Sequence, residues 1–375
     1  MKFLFIVQGE GRGHLTQAIT MEEMLRRNGH EVVEVLVGKS SSRRLPGFFN
    51  RSIHAPVKRF ISPNFLPTPA NKRVSLMRSV AYNLVKLPTY INSINYIRQR
   101  IAASEADMVI NFYELLTGLT YFLFRPSVPQ VCIGHQYLFL HRDFQFPKAN
   151  KASLAFLKFF TELTSLGAKE RLALSFRSMA DDVERHIRVI PPLLRKEVTL
   201  HEPYEGDYIH GYMVNSGFGE NIMQWHKRHP ETSLRFFWDK WEEEPVKKID
   251  DTLSFYQLDD VEFVRQMAGC KAYASTAGFE SVCEAMYLRK PIMMVPAHIE
   301  QDCNAYDAAQ SGAGIVSSDF DLEQLLEFTK TYQPNREFAY WVRGGEYTLL
   351  NLLEDDSSNY QQVLSNEMYL VEDFI

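Results

Sequence analysis

The chain has 375 residues, of which 45% are hydrophobic and 23% charged, and a formal net charge of −5. That length has room for two domains, and the composition excludes fibrous, disordered and collagen-like classes. Cys132, Cys270, Cys283 and Cys303 have no CxxC spacing and sit in or beside apolar stretches, so they read as reduced cytosolic thiols, not a disulfide frame or zinc site. No apolar run approaches the ~18 residues of a transmembrane helix, and the opening run is too short for a signal peptide.

In chain order, residues 3–7 form an apolar strand and residues 8–14 a glycine turn. Residues 15–27 form an amphipathic helix that Asn28-Gly29 ends. Residues 31–37 are the next strand, and strand, glycine loop, helix, strand opens a Rossmann-like domain. The glycines are spaced G-x-G-x-G, not the G-x-G-x-x-G of a dinucleotide site, although Glu34 could stand as the ribose acid of a nicotinamide enzyme. His14 closes the turn. Its imidazole can take a proton from a hydroxyl, or it can simply shape the helix start. Residues 76–101 have a helical pattern broken at Pro88. Met108–Phe112 and Gln130–Ile133 are strands that end in Tyr113-Glu114 and Gly134-His135-Gln136. Glu114 and His135 therefore stand at strand carboxyl ends beside His14, as further acid–base or acceptor contacts. Residues 149–166 are helical in period, and residues 172–176 and 188–189 are strands.

After a polar stretch, residues 208–214 start a second sheet and lead to the turn Asn215-Ser216-Gly217-Phe218-Gly219. Strands at 234–238 and 253–256 follow, the latter ending in Gln257-Leu258, and a helix spans 261–268. The stretch from Ala272 to Val316 is the most informative. Strand Ala272–Ser275 enters the turn Ala277-Gly278, a helix covers 279–288, and Lys290-Pro291 stops it. A buried strand at 291–295, a polar loop at 296–301 and a helix at 302–310 complete the unit. Ligands of such sheets bind beyond the strand carboxyl ends. Gly278 at a helix start suits an anion, Ser281 adds a hydroxyl, and Glu284 one turn on can accept from two ribose hydroxyls. Glu300 and Gln301 could grip sugar hydroxyls, with Asn304 behind them. Asp319-Phe320-Asp321 spells D-x-D but precedes a helix and reads as an N-cap, not a metal site.

Thr276-Ala277-Gly278, Ser281, Glu284-Ala285, Lys290-Pro291, Glu300-Gln301 and Asn304-Ala305 resemble, in order, the donor-binding half of GT-B glycosyltransferases. Thr276 stands where that pattern has His, and Ala277 where it has its first Gly. The run from Gly9 to Ala18 is similar to the GxGRGH loop of a branch related to lipid-linked and macrolide glycosyltransferases, with Gln17 in place of Arg. The resemblance implies an α/β GT-B fold, two Rossmann-like domains facing an interdomain cleft. It implies an acceptor domain at 1–195, a linker at 196–207, a nucleotide-sugar domain at 208–333, and a helical tail at 334–375 crossing back. It implies His14 as catalytic base with Glu114 as the alternative, and donor contacts from Gly13, Ser216, Gly217, Leu258, Thr276, Ala277, Gly278, Ser281, Glu284, Glu300, Gln301 and Asn304. His135 would touch the acceptor. The expected reaction is metal-independent, inverting transfer from a nucleoside diphosphate sugar, without a cofactor. A nucleotide-sugar 2-epimerase or a non-catalytic nucleotide-sugar binder would share the fold.

Between Val35 and Ser104 stand twelve Lys and Arg and no Asp or Glu, interleaved with Phe. Such a segment suits an anionic membrane surface and a lipid-linked or acidic glycan acceptor, or it is a solvated basic face. The aromatic spacing does not suit nucleic acid. The expected location is the cytoplasm, with possible peripheral attachment to the inner face of the cell membrane.

Overall fold

A computed structural model describes residues 1–41, 45–63, 83, 86–214, 216–240 and 243–354. Two seven-stranded sheets follow one another along the chain. The first is built from β1 (Lys2–Gln8), β2 (Glu31–Lys39), β3 (Val57–Ile61), β4 (Met108–Phe112), β5 (Gln130–Ile133), β6 (Glu170–Leu174) and β7 (Ile187–Ile190). Its order is β3-β2-β1-β4-β5-β6-β7, and every neighbouring pair is parallel. The second contains β8 (Tyr208–Met213), β9 (Ser233–Trp238), β10 (Val246–Lys248), β11 (Leu253–Gln257), β12 (Ala272–Ser275), β13 (Ile292–Met294) and β14 (Gly314–Val316). Its order is β10-β11-β9-β8-β12-β13-β14, parallel except for β10 against β11.

The chemistry of the strands explains the arrangement. Phe3, Leu4, Phe5, Ile6 and Val7 are all fully buried, so β1 is apolar on both faces, as a central parallel strand covered by helices must be. Strand order reverses between β1 and β4 in the first sheet and between β8 and β12 in the second. A crevice opens where strand order reverses. The loops after β1, β4, β8 and β12 therefore carry the sites.

Several boundaries depart from the sequence expectation. The first helix spans Arg12–Arg27, so Gly13 and His14 lie in its first turn rather than in the preceding loop. The helix expected from residue 302 begins at Ile299, which places Glu300 and Gln301 on a helix, not in a loop. Of the helix expected over 76–101, residues 76–82, 84 and 85 lie outside the described residues; Asn83 is helical, Lys86 is a turn, and Leu87–Ala103 follows with Pro88 in its first turn. A first-turn proline loses no intrahelical bond. Strands β3, β10 and β14 and the helices Gly47–Ser52 and Leu115–Phe124 were not legible beforehand. Asp321 occupies the N-cap position of Leu322–Thr329, but its carboxylate accepts from Gln324 Nε2 at 2.8 Å, not from the helix backbone.

The helices Arg336–Arg343 and Gly345–Glu354 lie against the first sheet's elements. Trp341 Nε1 donates to Ser175 O at 3.0 Å, Glu346 pairs with Arg27 at 3.0 Å, and Glu354 meets His30 at 2.7 Å. Residues 355–375 lie outside the described residues.

Candidate active site

A cleft of about 290 Å³ lies between the switch points of the two sheets. From the first sheet it is lined by Gly13, His14, Tyr113, His135 and Gln136, and from the second by Tyr212, Leu258, Phe263, Gly278, Ser281 and Glu284. His298, Glu300, Gln301 and Asn304 close one side.

Three helices open onto this cleft without a side-chain cap. They are Arg12–Arg27 with Gly11 at its N-cap, Phe279–Tyr287 with Gly278, and Ile299–Gln310 with His298. Their first-turn N–H groups lack the capping acceptor that Glu114, Asn150, Asp259 and Asn335 supply to other helices. Uncapped N-termini carry partial positive charge and suit an anion. They matter here because the cleft's charged side chains are mainly acidic: Asp259, Asp260, Glu280, Glu284 and Glu300 against Arg12 and Arg195.

His14 lies at the centre. Its Nδ1 is 3.2 Å from Gln17 Oε1, its Nε2 is 3.4 Å from Gln136 Nε2, and its ring stacks on Tyr113 at 5.5 Å. Burial lowers its pKa, against the opposing pull of Glu300 and Gln17, so the imidazole is neutral and basic at neutral pH. Gln17 Nε2 donates to Glu280 Oε1, and Gln136 Nε2 donates to Glu300 Oε1 at 2.9 Å. Burial pushes the Glu280 carboxyl up to about 7.

The family model of glycosyl transferase family 1 matches residues 1–332. The chain belongs to that family. No curated protein matches the sequence. Among solved structures, this glycosyltransferase is similar to the kitacinnamycin glycotransferase at 14% identity and TM-score 0.62, covering 94% of this chain and 98% of that one. It is similar to the calicheamicin glycosyltransferase CalG4 at 13% identity and TM-score 0.58, covering 94% and 97%. It is also similar to Phytolacca americana UGT2, solved with UDP-2-fluoroglucose and pterostilbene, at 12% identity and TM-score 0.58, covering 98% and 99%. The fold is GT-B, and the protein is a glycosyltransferase.

The glycosyltransferase does not bring every expected residue into the cleft. Glu114 is fully buried away from it. Its Oε1 accepts from Ser62 Oγ at 2.6 Å and from Leu116 N at 3.1 Å, which caps the Leu115–Phe124 helix. Burial raises its pKa to about 7. Thr276 is also fully buried, and its hydroxyl accepts from Val214 N at 3.1 Å, tying the β8 and β12 loops together. Ala277, not Gly278, holds the left-handed backbone, at φ 57°, and its carbonyl accepts from Asn304 Nδ2 at 3.3 Å. Ser216 and Gly217 form a short 3-10 turn after β8. His135 Nδ1 donates to Leu174 O at 2.7 Å and its ring stacks on Phe279 of the second domain at 4.0 Å. Burial drops its pKa to about 3.

Glu284 reaches the cleft with both oxygens already held by Arg195, at 2.6 and 3.0 Å. Gln301 Oε1 accepts from Ala297 N at 2.9 Å. Glu34, the alternative ribose acid, is closed off by Arg100 at 2.8 Å and Lys58 at 2.6 Å. Sequence reasoning missed Arg195, Tyr113, Gln136, Glu280 and His298 as cleft residues. Glu280 had a signal in its place in the first turn after Ala277-Gly278, and Tyr113, Gln136 and His298 in the strand-end loops that contain them; Arg195 had none.

Proposed function

We propose that the enzyme transfers a sugar from a nucleoside diphosphate sugar, held on the second domain, to an acceptor hydroxyl presented by the first. The convergence of three uncapped helix N-termini on a neutral buried histidine carries this reading. Leu258, Phe263 and Tyr212 supply an apolar platform for the base, and Glu284 accepts from the ribose hydroxyls through lone pairs that Arg195 leaves free. Glu300, Gln301 and Asn304, whose Oδ1 has no partner among the described residues, face the sugar. His14 Nε2 takes the acceptor proton as its oxygen bonds to the anomeric carbon. The bond from that carbon to the β-phosphate oxygen breaks, and its electron pair leaves with the diphosphate. The helix N-termini stabilise that charge without requiring a metal. Single displacement inverts the anomer.

Phe48, Tyr113 and Phe160 line the acceptor side, which favours an apolar acceptor. The polybasic argument for a membrane surface is narrower than the sequence suggested. Arg51 pairs with Asp260 at 3.6 Å, and Lys58 and Arg100 hold Glu34; Arg43, Arg44, Lys72, Arg73 and Arg78 lie outside the described residues. The exposed Phe122, Leu123 and Phe124, with Arg98 packed 4.7 Å over Phe124, favour a lipid-linked acceptor reached from a membrane face. Sedimentation with anionic and neutral vesicles at low salt tests that part, and a protein that ignores both leaves a soluble apolar acceptor.

The donor reading is tested by calorimetric titration with uridine, thymidine and guanosine diphosphates in the presence of a chelator. Saturable binding of one of them supports it. Failure of all three to bind overturns it.

A further inference from the structure

We propose that two carboxylates of the second domain, Glu280 and Glu300, position the imidazole of His14 through Gln17 and Gln136 of the first, so that the reactive nitrogen is set only while the domains are closed. The inference rests on the reading of His14 as base.

A continuous chain of hydrogen bonds crosses the cleft twice. It runs from Glu280 to Gln17, to His14, to Gln136 and to Glu300. Each end is an acceptor in its ionised form, because a carboxylate accepts only. Each glutamine must therefore turn its NH2 toward its glutamate. For Gln17 this leaves Oε1 facing His14 Nδ1 at 3.2 Å, and that contact is favourable only if Nδ1 carries the proton. For Gln136 it presents an N–H to His14 Nε2 at 3.4 Å, and that contact is favourable only if Nε2 carries the lone pair. The two glutamates thus demand the same tautomer from opposite sides of the ring.

The geometry supports closure as the condition. The Glu280 carboxylate lies against Gly13, where a Cβ would displace it, so the first domain's helix start and the second domain's carboxylate are in direct contact. Gln136 Oε1 is buried with no partner among the described residues, while its NH2 lies between Glu300 and His14. Turning the amide would set its oxygen against the Glu300 carboxylate and leave the NH2 without an acceptor. At 3.4 Å the Gln136 contact is long for a hydrogen bond, so an acceptor hydroxyl can displace it and meet a bare Nε2. Gln17, Gln136, Glu280 and Glu300 are positioning residues: they choose which nitrogen of His14 can accept a proton.

The test reads the tautomer directly and needs no substrate. Proton–nitrogen correlation spectra of 15N-histidine-labelled protein at pH 7.5 show which ring nitrogen of His14 is protonated, with His14→Ala assigning the signal. The wild type should show the Nδ1–H form. Glu280→Ala and Gln17→Met should each lower the ratio of Nδ1–H to Nε2–H at least about tenfold, the worth of one buried hydrogen bond. Glu280→Gln keeps an acceptor oxygen and should retain the wild-type spectrum. Melting temperatures identify which variants remain folded, and Gln17→Met carries the same test if Glu280→Ala does not fold. A wild-type Nε2–H form, or folded Glu280→Ala and Gln17→Met with unchanged His14 signals, overturns the proposal. Undiminished turnover in His14→Ala would instead remove the base reading and leave these spectra as they are.

Discussion

At the level of single residues, Glu284 shows how a carboxylate proposed to bind a ligand can also hold the fold. Both of its oxygens bond to Arg195, and both side chains are largely buried. Removing one partner of a buried pair leaves the other charge uncompensated, at about 3–5 kcal/mol. Glu284→Ala should therefore lower the melting temperature sharply, and a weak donor affinity in that variant would not isolate the ribose contact. Glu284→Gln keeps the shape and one acceptor oxygen. It should cost less stability and weaken nucleoside diphosphate binding about tenfold, since a charged hydrogen bond contributes about 1.5–3 kcal/mol. Unchanged nucleotide affinity in Glu284→Gln would remove the ribose assignment. His14 gives the complementary case. Its ring contacts are with Gln17, Gln136 and Tyr113, so His14→Ala should lower the melting temperature through the loss of a buried ring and its hydrogen bonds, and leave nucleotide affinity close to wild type. Turnover should fall about 10²–10⁴-fold, the usual worth of a general base. A near-normal rate would assign His14 to shaping the turn.

At the level of elements, the glycines beside the cleft have different duties. A Cβ on Gly13 would strike Glu280, whereas a Cβ on Gly278 would meet only Ser281 Oγ, at 3.6 Å. Gly278 has φ −68° and ψ 132°, which any residue adopts. The free protein thus has no steric need for glycine there, which fits the proposed approach of an anion to this helix N-terminus. Gly278→Ala should cost under about 1 kcal/mol, as exposed N-cap changes do, and yet weaken nucleoside diphosphate binding several-fold. Equal affinity in calorimetry would detach the anion from this helix. These elements were the legible part of the molecule. The unit from β12 to the Ile299–Gln310 helix could be read because buried apolar strands and glycine stops are local signals, and β12 itself falls at Ala272–Ser275 as expected. Gln17 and Glu280 meet across 263 positions, and Gln136 and Glu300 across 164, and no periodicity marks a contact between domains. The short strands β3 and β14, with exposed or half-buried residues, also lacked an apolar signature. Glu114 was misread because a strand-end carboxylate looks the same whether it faces a cleft or turns back to cap the next helix.

At the level of the whole molecule, buried titratable groups on both sheets give the fold a distinctive response to acid. His210 is enclosed by Phe237, Phe263 and Tyr273, with ring centroids 4.7–5.4 Å away, and neither nitrogen has a partner among the described residues. Burial drops its pKa to about 3, as it does for His135. Both values lie below the ordinary 6.5, so between these limits the unfolded chain binds the extra protons and stability falls as pH falls. Glu114 and Glu280 work in the other direction. Their pKa values rise from 4.5 to about 7, so within that window the folded chain binds the extra protons and stability falls as pH rises. From pH 6.5 down to 4.5 the two histidines and two carboxyls offset one another. Below 4.5 these two carboxyls are protonated in both states and the two histidines act, each at about 1.4 kcal/mol per pH unit. They are joined below about 4 by Asp182 and Asp250, whose hydrogen bonds lower their pKa from 3.8 to about 2. The expected profile is therefore shallower from pH 6.5 to 4.5 than below it. His210→Leu removes one of the two histidines without changing a residue that lines the cleft. Because the ring nitrogens have no partners, an apolar replacement should change stability little at pH 7. The slope below pH 4.5 should fall by about 1.4 kcal/mol per pH unit, the share of one histidine. Urea midpoints at pH 7, 4.5, 4 and 3.5, compared at constant m-value, measure it. An acid limb as steep as that of the wild type would mean that His210 is protonated in the folded state, which its apolar cage of three rings makes costly.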